Sequence, residues 1–309
     1  MRNTLLLLLI VSVCVSCNQT RMSFLESDDA YFGLKPPGLI PEVFAPNIAS
    51  DSTWAEHCQV AVSPDGKEIY WSAWTENYKS EDGSKNTEQI FYSNYKDGKW
   101  SKPALAKFIN GNPHGLNGGP SFSPDGKKLF FYQVKSPWVS SNMNTYYVEK
   151  KNGKWGNEPI DLGQPYNSES QDYSPIFTNN GTAYKNLRSK ILKYAFKNGN
   201  FTLTDSIVIH KDFRQLWNFY MSPNEDYIIF ADRHDGGYGD VDLYISFKTQ
   251  NGKWGYPINM GDKINTETRE RFPMVSPDGK YFFFMRHTET QDFFWVSTDI
   301  FDELRKRKE

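Results

Sequence analysis

Short runs dense in aromatic and β-branched residues, each bounded by turn-forming residues, recur along the whole chain. Examples are "KEIYWSA" (67–73), "KKLFFYQ" (127–133), "DYIIFAD" (226–232) and "KYFFFMR" (280–286). Runs of this length, apolar at consecutive positions, predict strands covered on both faces. No long amphipathic helical pattern competes with that reading. The elements expected are therefore many short strands joined by tight turns.

The runs follow a recurring corner. Its copies are Ser63-Pro64-Asp65-Gly66, Ser123-Pro124-Asp125-Gly126, Thr178-Asn179-Asn180-Gly181, Ser222-Pro223-Asn224-Glu225 and Ser276-Pro277-Asp278-Gly279. Pro presets φ at the first turn position, Asp or Asn bonds the turn backbone, and Gly accepts a positive φ. A second phrase, strand–turn–strand around Asp-Gly or Asn-Gly, appears in "QIFYSNYKDGKWSKP" (89–103), "TYYVEKKNGKWGNEP" (145–159) and "KILKYAFKNGNFTL" (190–203). It predicts two-residue hairpins. "DLYISFKTQNGKWGYP" (242–257) is its fourth copy, and "IDLGQPYNSESQDYSPIF" (160–177) and "INMGDKINTETRERFPMV" (258–275) share a third phrase.

Each unit of about fifty residues thus supplies about four antiparallel strands, the period of a propeller blade. The expected fold is all-β, a β-propeller of four-stranded antiparallel blades. Five corners predict five blades, with six as the alternative if the 63–123 interval hides another. The last unit lacks its outer strand, because "DFFWVSTD" (292–299) leads into the charged, helical "IFDELRKRKE". The segment 41–57, "PEVFAPNIASDSTWAEH", resembles those preceding the other corners and is expected to supply that strand and close the ring.

"SPDGK" before an aromatic strand, "GKWG-P", "GGYGDVDLYISF" (236–247) and "FFWVSTDIFDELR" (293–305) resemble TolB-like, WD40-like β-propellers of bacterial envelopes. The ending resembles propeller lipoproteins of Bacteroidetes-type bacteria. The resemblance spans residues 37–305 and implies a fold more than an activity. "MRNTLLLLLIVSVCVSCNQT" (1–20) resembles a lipoprotein signal peptide with "CVSC" (14–17) as its lipobox, the alternative being an ordinary secretory signal cut elsewhere. The implied organisation is a signal peptide over 1–16, a lipidated tether over 17–36 starting at Cys17, and one propeller domain with a short helical tail over 37–309. The implied location is a periplasm-facing outer-membrane anchor, because no acidic run follows Cys17, with the cell surface as the alternative.

Composition narrows the chemistry. Lys and Arg number 35 against 37 Asp and Glu, a net charge of −2 that gives no reason to expect nucleic acid. Beyond Cys14 and Cys17 only Cys58 remains, so no internal disulfide forms, and no Cys/His spacing has a zinc pattern. No cofactor or metal is expected. Asp235, Asp240 and Asp242 superficially resemble a calcium loop but lack its closing Glu.

In such a propeller the strand before each corner is innermost and starts at a mouth of the central channel. Six residues before each corner stand His57, Asn117, Asp172, Leu216 and Glu270; five before stand Cys58, Gly118, Tyr173, Trp217 and Arg271. From these the expected ligand-binding set is His57, Asn117, Asp172, Tyr173, Trp217, Glu270 and Arg271, with Trp217 stacking and the carboxylates accepting hydrogen bonds. His114 is a lesser candidate. The competing reading is that these groups hydrate a narrow channel and satisfy strand ends. Function is therefore read as non-catalytic binding of an envelope protein, peptidoglycan fragment or glycan. The alternatives are a carbohydrate-active hydrolase or lyase using Asp172, Glu270 or His57, and an interaction module acting through its blade edges.

Overall fold

The computed structural model describes residues 23–75, 87–111, 115–134, 142–168, 170–187, 190–213 and 215–306. The segment expected as a signal peptide, Cys17 and His114 lie outside the described residues. Within them the chain forms five antiparallel sheets, each the blade of a propeller.

Blade 1 comprises Ala55–Val62, Glu68–Thr75 and Thr87–Lys96, with an outer edge split into Lys99–Trp100 and Ala104–Leu105. Blade 2 repeats this plan with Leu116–Phe122, Lys128–Val134, Met143–Lys151, Lys154–Trp155 and Ile160–Asp161. Blade 3 is Ile176–Phe177, Thr182–Leu187, Lys190–Lys197 and Asn200–Ile207. Blade 4 is Asn218–Met221, Tyr227–Asp232, Asp242–Phe247 and Ile258–Asn259. Blade 5 takes Glu270–Val275, Tyr281–His287 and Gln291–Ser297 from the end of the chain, and its outer strand Glu42–Val43 from the beginning. The expected closure is therefore present: Glu42 pairs with Trp295 and Val43 with Phe294. The six-bladed alternative falls, since the long 63–123 interval is taken up by blade 1's ten-residue third strand, its divided edge and a 3-10 turn at Lys107–Gly111.

The corners work as their residues dictate. In blade 1 the Ser63 hydroxyl donates to Asp65 (2.6 Å) and accepts from the Glu68 N–H (2.9 Å), while Gly66 takes φ +75°. Blade 4 lacks the Gly, so Glu225 occupies the left-handed conformation at φ +58°, and Ser222 turns to Asp226 instead. In the hairpins Asp97-Gly98, Asn152-Gly153 and Asn198-Gly199 every residue has positive φ, the signature of a type I′ turn.

Period-two alternation fills both faces of each second strand. In blade 5 Phe282 and Phe284 join a cluster with Ile229, Ala231 and Leu243 of blade 4, whereas Phe283 and Met285 join one with Ile69 and Trp71 of blade 1. Similar clusters lie between blades 1 and 2, 2 and 3, and 3 and 4. The C-terminal helix Ile300–Lys306 docks Ile300, Phe301 and Leu304 on the blade 4–5 cluster. Of the segment expected as a tether, residues 23–36 lie against the propeller, with Leu25 and Tyr31 buried and Tyr31 donating to Asp278 at 3.0 Å.

Phe44 follows the closing strand directly. It is fully buried, its N–H donates to Phe293 O (2.7 Å), and its ring meets Phe283 and Trp295 at 5.0 and 5.2 Å. Phe44→Ala is expected to lower unfolding free energy by about 3–5 kcal/mol. Urea denaturation checks this; a loss below about 1 kcal/mol would mean the closure contributes little.

Candidate functional site

Register decides which side chains reach the channel. The inner strands of blades 1, 2 and 5 each carry a bulge, with Cys58, Gly119 and Phe272 in the left-handed region at φ +62°, +61° and +54°. A bulge adds unpaired residues to one strand and re-aims its side chains. In blade 1 the bulge is one residue longer: His57 pairs Ser72 and Ala61 pairs Tyr70, whereas in blade 5 Arg271 pairs Met285 and Met274 pairs Phe283. Counting back from the corner is thus off by one in blade 1. The counterpart of Glu270 there is Glu56, and the counterpart of Arg271 is His57.

The acidic residues expected at the mouth, Asp172 and Glu270, are fully buried. The Asp172 carboxylate accepts from the Ser168 N–H (2.6 Å), the Ser168 hydroxyl (2.9 Å) and Lys185 Nζ (2.6 Å), and Lys185 also donates to Tyr166 O. Glu270 repeats the arrangement with the Thr266 N–H (3.0 Å), the Thr266 hydroxyl (2.7 Å) and Arg286 Nε (3.0 Å), while Arg286 donates to Ile264 O at 2.7 Å. Asn167 and Asn265, just before, each bridge N–H and C=O of one residue in the preceding blade's third strand, Thr145 and Leu243. The third sequence phrase is therefore a staple that ties an inner strand to the blade before it. Burial raises the Glu270 carboxyl and lowers Lys185, each opposed by its partner. Asn117 is likewise buried, bonded to Gln133 at 2.8 Å. These three residues of the expected binding set are buried, and their polar groups are bonded within the protein, as a strand end inside a ring requires.

Blade 1 keeps the carboxylate of the staple and loses the cation. Glu56 Oε1 accepts from the Asp51 N–H (2.9 Å) and Trp54 Nε1 (3.0 Å), but its partner across the strand is Ala73, the counterpart of Arg286, and Oε2 is buried without a hydrogen bond. Burial, opposed by the Asp51 N–H, leaves its pKa pushed up to about 8.

His57, Tyr173, Trp217 and Arg271 do converge. The Arg271 guanidinium lies 4.9 Å from the Trp217 ring centre and 4.6 Å from that of Phe272, and His57 meets Phe272 edge-on at 5.0 Å. Tyr173 and Trp217 line a small cavity of about 40 Å³ with Asn186, Asn218 and Phe272. Burial holds Arg271 below its usual pKa and pushes Tyr173 up to about 12. Arg271 remains a cation at neutral pH. Its Nε is buried without a hydrogen-bond partner, and among the described residues no carboxylate forms an ion pair with it.

Beside this group stand two residues that counting from the corners could not find. Glu88, 1% exposed, starts blade 1's third strand; its Oε1 lies 2.8 Å from His57 Nδ1, and its Oε2 accepts from the Tyr132 hydroxyl of blade 2. Cys58 Sγ lies 3.2 Å from Tyr132 Oη and 3.3 Å from His57 Nδ1. Burial, then the Glu88 charge, raises the Cys58 thiol. Cys58 was met in the count from the corner, whereas Glu88 and Tyr132 lie on a third and a second strand outside that count. Two of the aspartates of "DGGYGDVD" have protein partners: Asp242 accepts from the Tyr238 and Gly239 N–H groups and Asn259, and Asp240 pairs Arg233 and Arg269. At the corner end the channel opens into a cavity of about 260 Å³ lined by Pro64, Pro124, Pro223 and Pro277.

No protein-family model and no curated protein sequence matches the chain. Similar solved structures include TolB from Acinetobacter baumannii, 16% identical over 78% of this chain with a TM-score of 0.46; the chain spans about half (51%) of that protein. Prolyl oligopeptidase B from Galerina marginata is 18% identical over 76% of this chain and 30% of its own, with a TM-score of 0.44. An oligogalacturonate lyase in complex with manganese is 10% identical over 81% and 68%, with a TM-score of 0.40. The propeller architecture expected from the repeat words is present in the five sheets of the chain itself.

Two outcomes follow from the staples. Lys185→Met leaves Asp172 buried without its cation and is expected to destabilise by about 3–5 kcal/mol, measured by denaturation, whereas Lys193→Met, at a half-exposed lysine, changes little. For Glu56 the folded pKa lies above the ordinary 4.5, so the native state holds a proton that the unfolded chain releases. Stability is then full below about pH 4.5 and falls as pH rises toward about 8, by at most about 1.4 kcal/mol per unit. Glu56→Gln should flatten this part of the melting-temperature profile; an unchanged slope would refute the assignment.

Proposed function

We propose that the protein is an envelope-anchored, non-catalytic propeller that captures a ligand bearing a carboxylate at the channel mouth, the ligand being a peptidoglycan fragment, an acidic glycan or a protein terminus. The observation that carries this reading is Arg271: a largely buried guanidinium held between Trp217 and Phe272, without an anion of its own. A planar fork of donors suits a carboxylate, and the flanking indole and phenyl rings offer apolar stacking surface. His57 and Tyr173 complete the rim. Support for binding over hydrolysis or lyase chemistry comes from Asp172 and Glu270, whose oxygens are already saturated inside the staples. The lipobox-like "CVSC" supports anchoring through lipid at Cys17, and the absence of an acidic run after it supports a periplasm-facing outer-membrane site.

Thermal-shift titration with muropeptides, uronic-acid oligosaccharides and carboxyl-terminal peptides tests the reading. One of these should raise the melting temperature and remain intact, and Arg271→Ala should weaken it roughly tenfold to hundredfold. Binding indifferent to both Arg271→Ala and Trp217→Ala would exclude the mouth as the site. Release of product that disappears with Glu270→Gln would replace binding with catalysis. Protease treatment of intact cells is expected to leave the protein uncut.

A further inference from the structure

His57 Nδ1, Cys58 Sγ and a Glu88 carboxylate oxygen lie within 4.8 Å of one another, drawn from two strands of blade 1. The separations are 2.8 Å from nitrogen to oxygen, 3.3 Å from sulfur to nitrogen and 3.5 Å from sulfur to oxygen. This is not the layout of a nucleophilic relay. Thiol and carboxylate face the same imidazole nitrogen, so the ring cannot take a proton from one side while the other orients it, and the thiol is only 1% exposed. Three donors of different softness instead point at one another.

The cradle is built, not incidental. Cys58 is held at φ +62° in the bulge, a conformation disfavoured for a residue with a Cβ, and its Sγ there lies 3.3 Å from His57 Nδ1. Gly118, on the neighbouring blade, leaves the room: a Cβ there would fall 2.2 Å from Glu88 Oε1 and 2.5 Å from Tyr132 Oη. Tyr132 donates to the second oxygen of Glu88, the kind of outer contact that orients a ligating carboxylate.

We propose that His57, Cys58 and Glu88 bind one borderline-soft divalent transition ion of the zinc class. Imidazole, thiolate and carboxylate together suit Zn²⁺ or Co²⁺, whereas Ca²⁺ and Mg²⁺ demand oxygen donors. Binding releases the Cys58 proton to solvent and requires the His57 tautomer protonated on Nε2. The thiolate and the carboxylate then neutralise the ion, and a fourth position remains for water or another ligand. The site shares only His57 with the carboxylate-capture rim; Arg271, Trp217 and Tyr173 are not among the ligands, so metal binding does not require that reading.

Cobalt titration of the full chain under reducing conditions tests it. The expected result is a thiolate-to-cobalt charge-transfer band with intense four-coordinate d–d absorption, saturating at one equivalent and displaced by Zn²⁺. Cys14→Ser/Cys17→Ser, which leaves Cys58 as the sole thiol and alters nothing in the propeller, should keep the band. Cys58→Ser should abolish it, Glu88→Gln should weaken binding at least roughly tenfold to hundredfold, and Arg271→Ala should keep one equivalent. No charge-transfer band in the Cys14→Ser/Cys17→Ser protein, or an undiminished band in Cys58→Ser, overturns the proposal whether or not Arg271 binds a carboxylate.

Discussion

A sheet of four strands with two apolar faces cannot stand alone in water, and every blade of this molecule has two such faces. Burial of large aromatic side chains contributes roughly 1.5–3 kcal/mol each relative to exposure, so each sheet needs a neighbour on both sides. A ring meets that demand without leaving a terminal face. Phe282 and Phe284 look one way and Phe283 and Met285 the other within a single strand. All else in the structure, including where polar groups stand near the axis, follows from closing the ring.

Closure brings five inner-strand ends together where little water reaches. Those ends carry backbone and side-chain groups that must be satisfied from within. The Asp172–Lys185 and Glu270–Arg286 staples do this and register each inner strand on the preceding blade. Blade 1 departs from the pattern three times in one place: Glu56 has no cation, the bulge is longer by a residue, and His57 and Cys58 turn toward Glu88. Blades 2 and 4 also lack the carboxylate–cation pair, with Asn117 opposite Gln133 in one and Leu216 ahead of the inner strand in the other, but among the described residues blade 1 alone assembles the mixed donor cluster. Local departure from a repeated solution is where function is expected to sit in a repeat protein.

The architecture was legible because its signals are local. Pro-Asp-Gly corners, Asp-Gly and Asn-Gly hairpins and doubly apolar strands each specify a few residues, and repetition multiplied them into a blade count. The closing role of the 41–57 segment was legible for the same reason, through its likeness to its fellows. The site was half legible. Tyr173, Trp217, Arg271 and His57 were reached by counting from the corner, but the same count took in Asp172, Glu270 and Asn117, which are buried. Whether a carboxylate faces solvent or a Lys185 thirteen residues away depends on packing between strands, which a one-dimensional count does not contain. Glu88 and Tyr132 were invisible because bulges, not sequence spacing, set their distance from Cys58.

The clasp between Glu42–Val43 and Gln291–Ser297 joins the two extremes of the chain in one sheet. A nascent polypeptide therefore cannot lock the ring until the strand Gln291–Ser297 has been made. In the finished molecule, tension applied ahead of residue 23 runs first into Leu25 and Tyr31, wedged beside blades 1 and 5, and then into a two-residue strand. Mechanical load on the leading segment would thus be felt at the seam before any other blade, which makes the seam the fuse of the assembly.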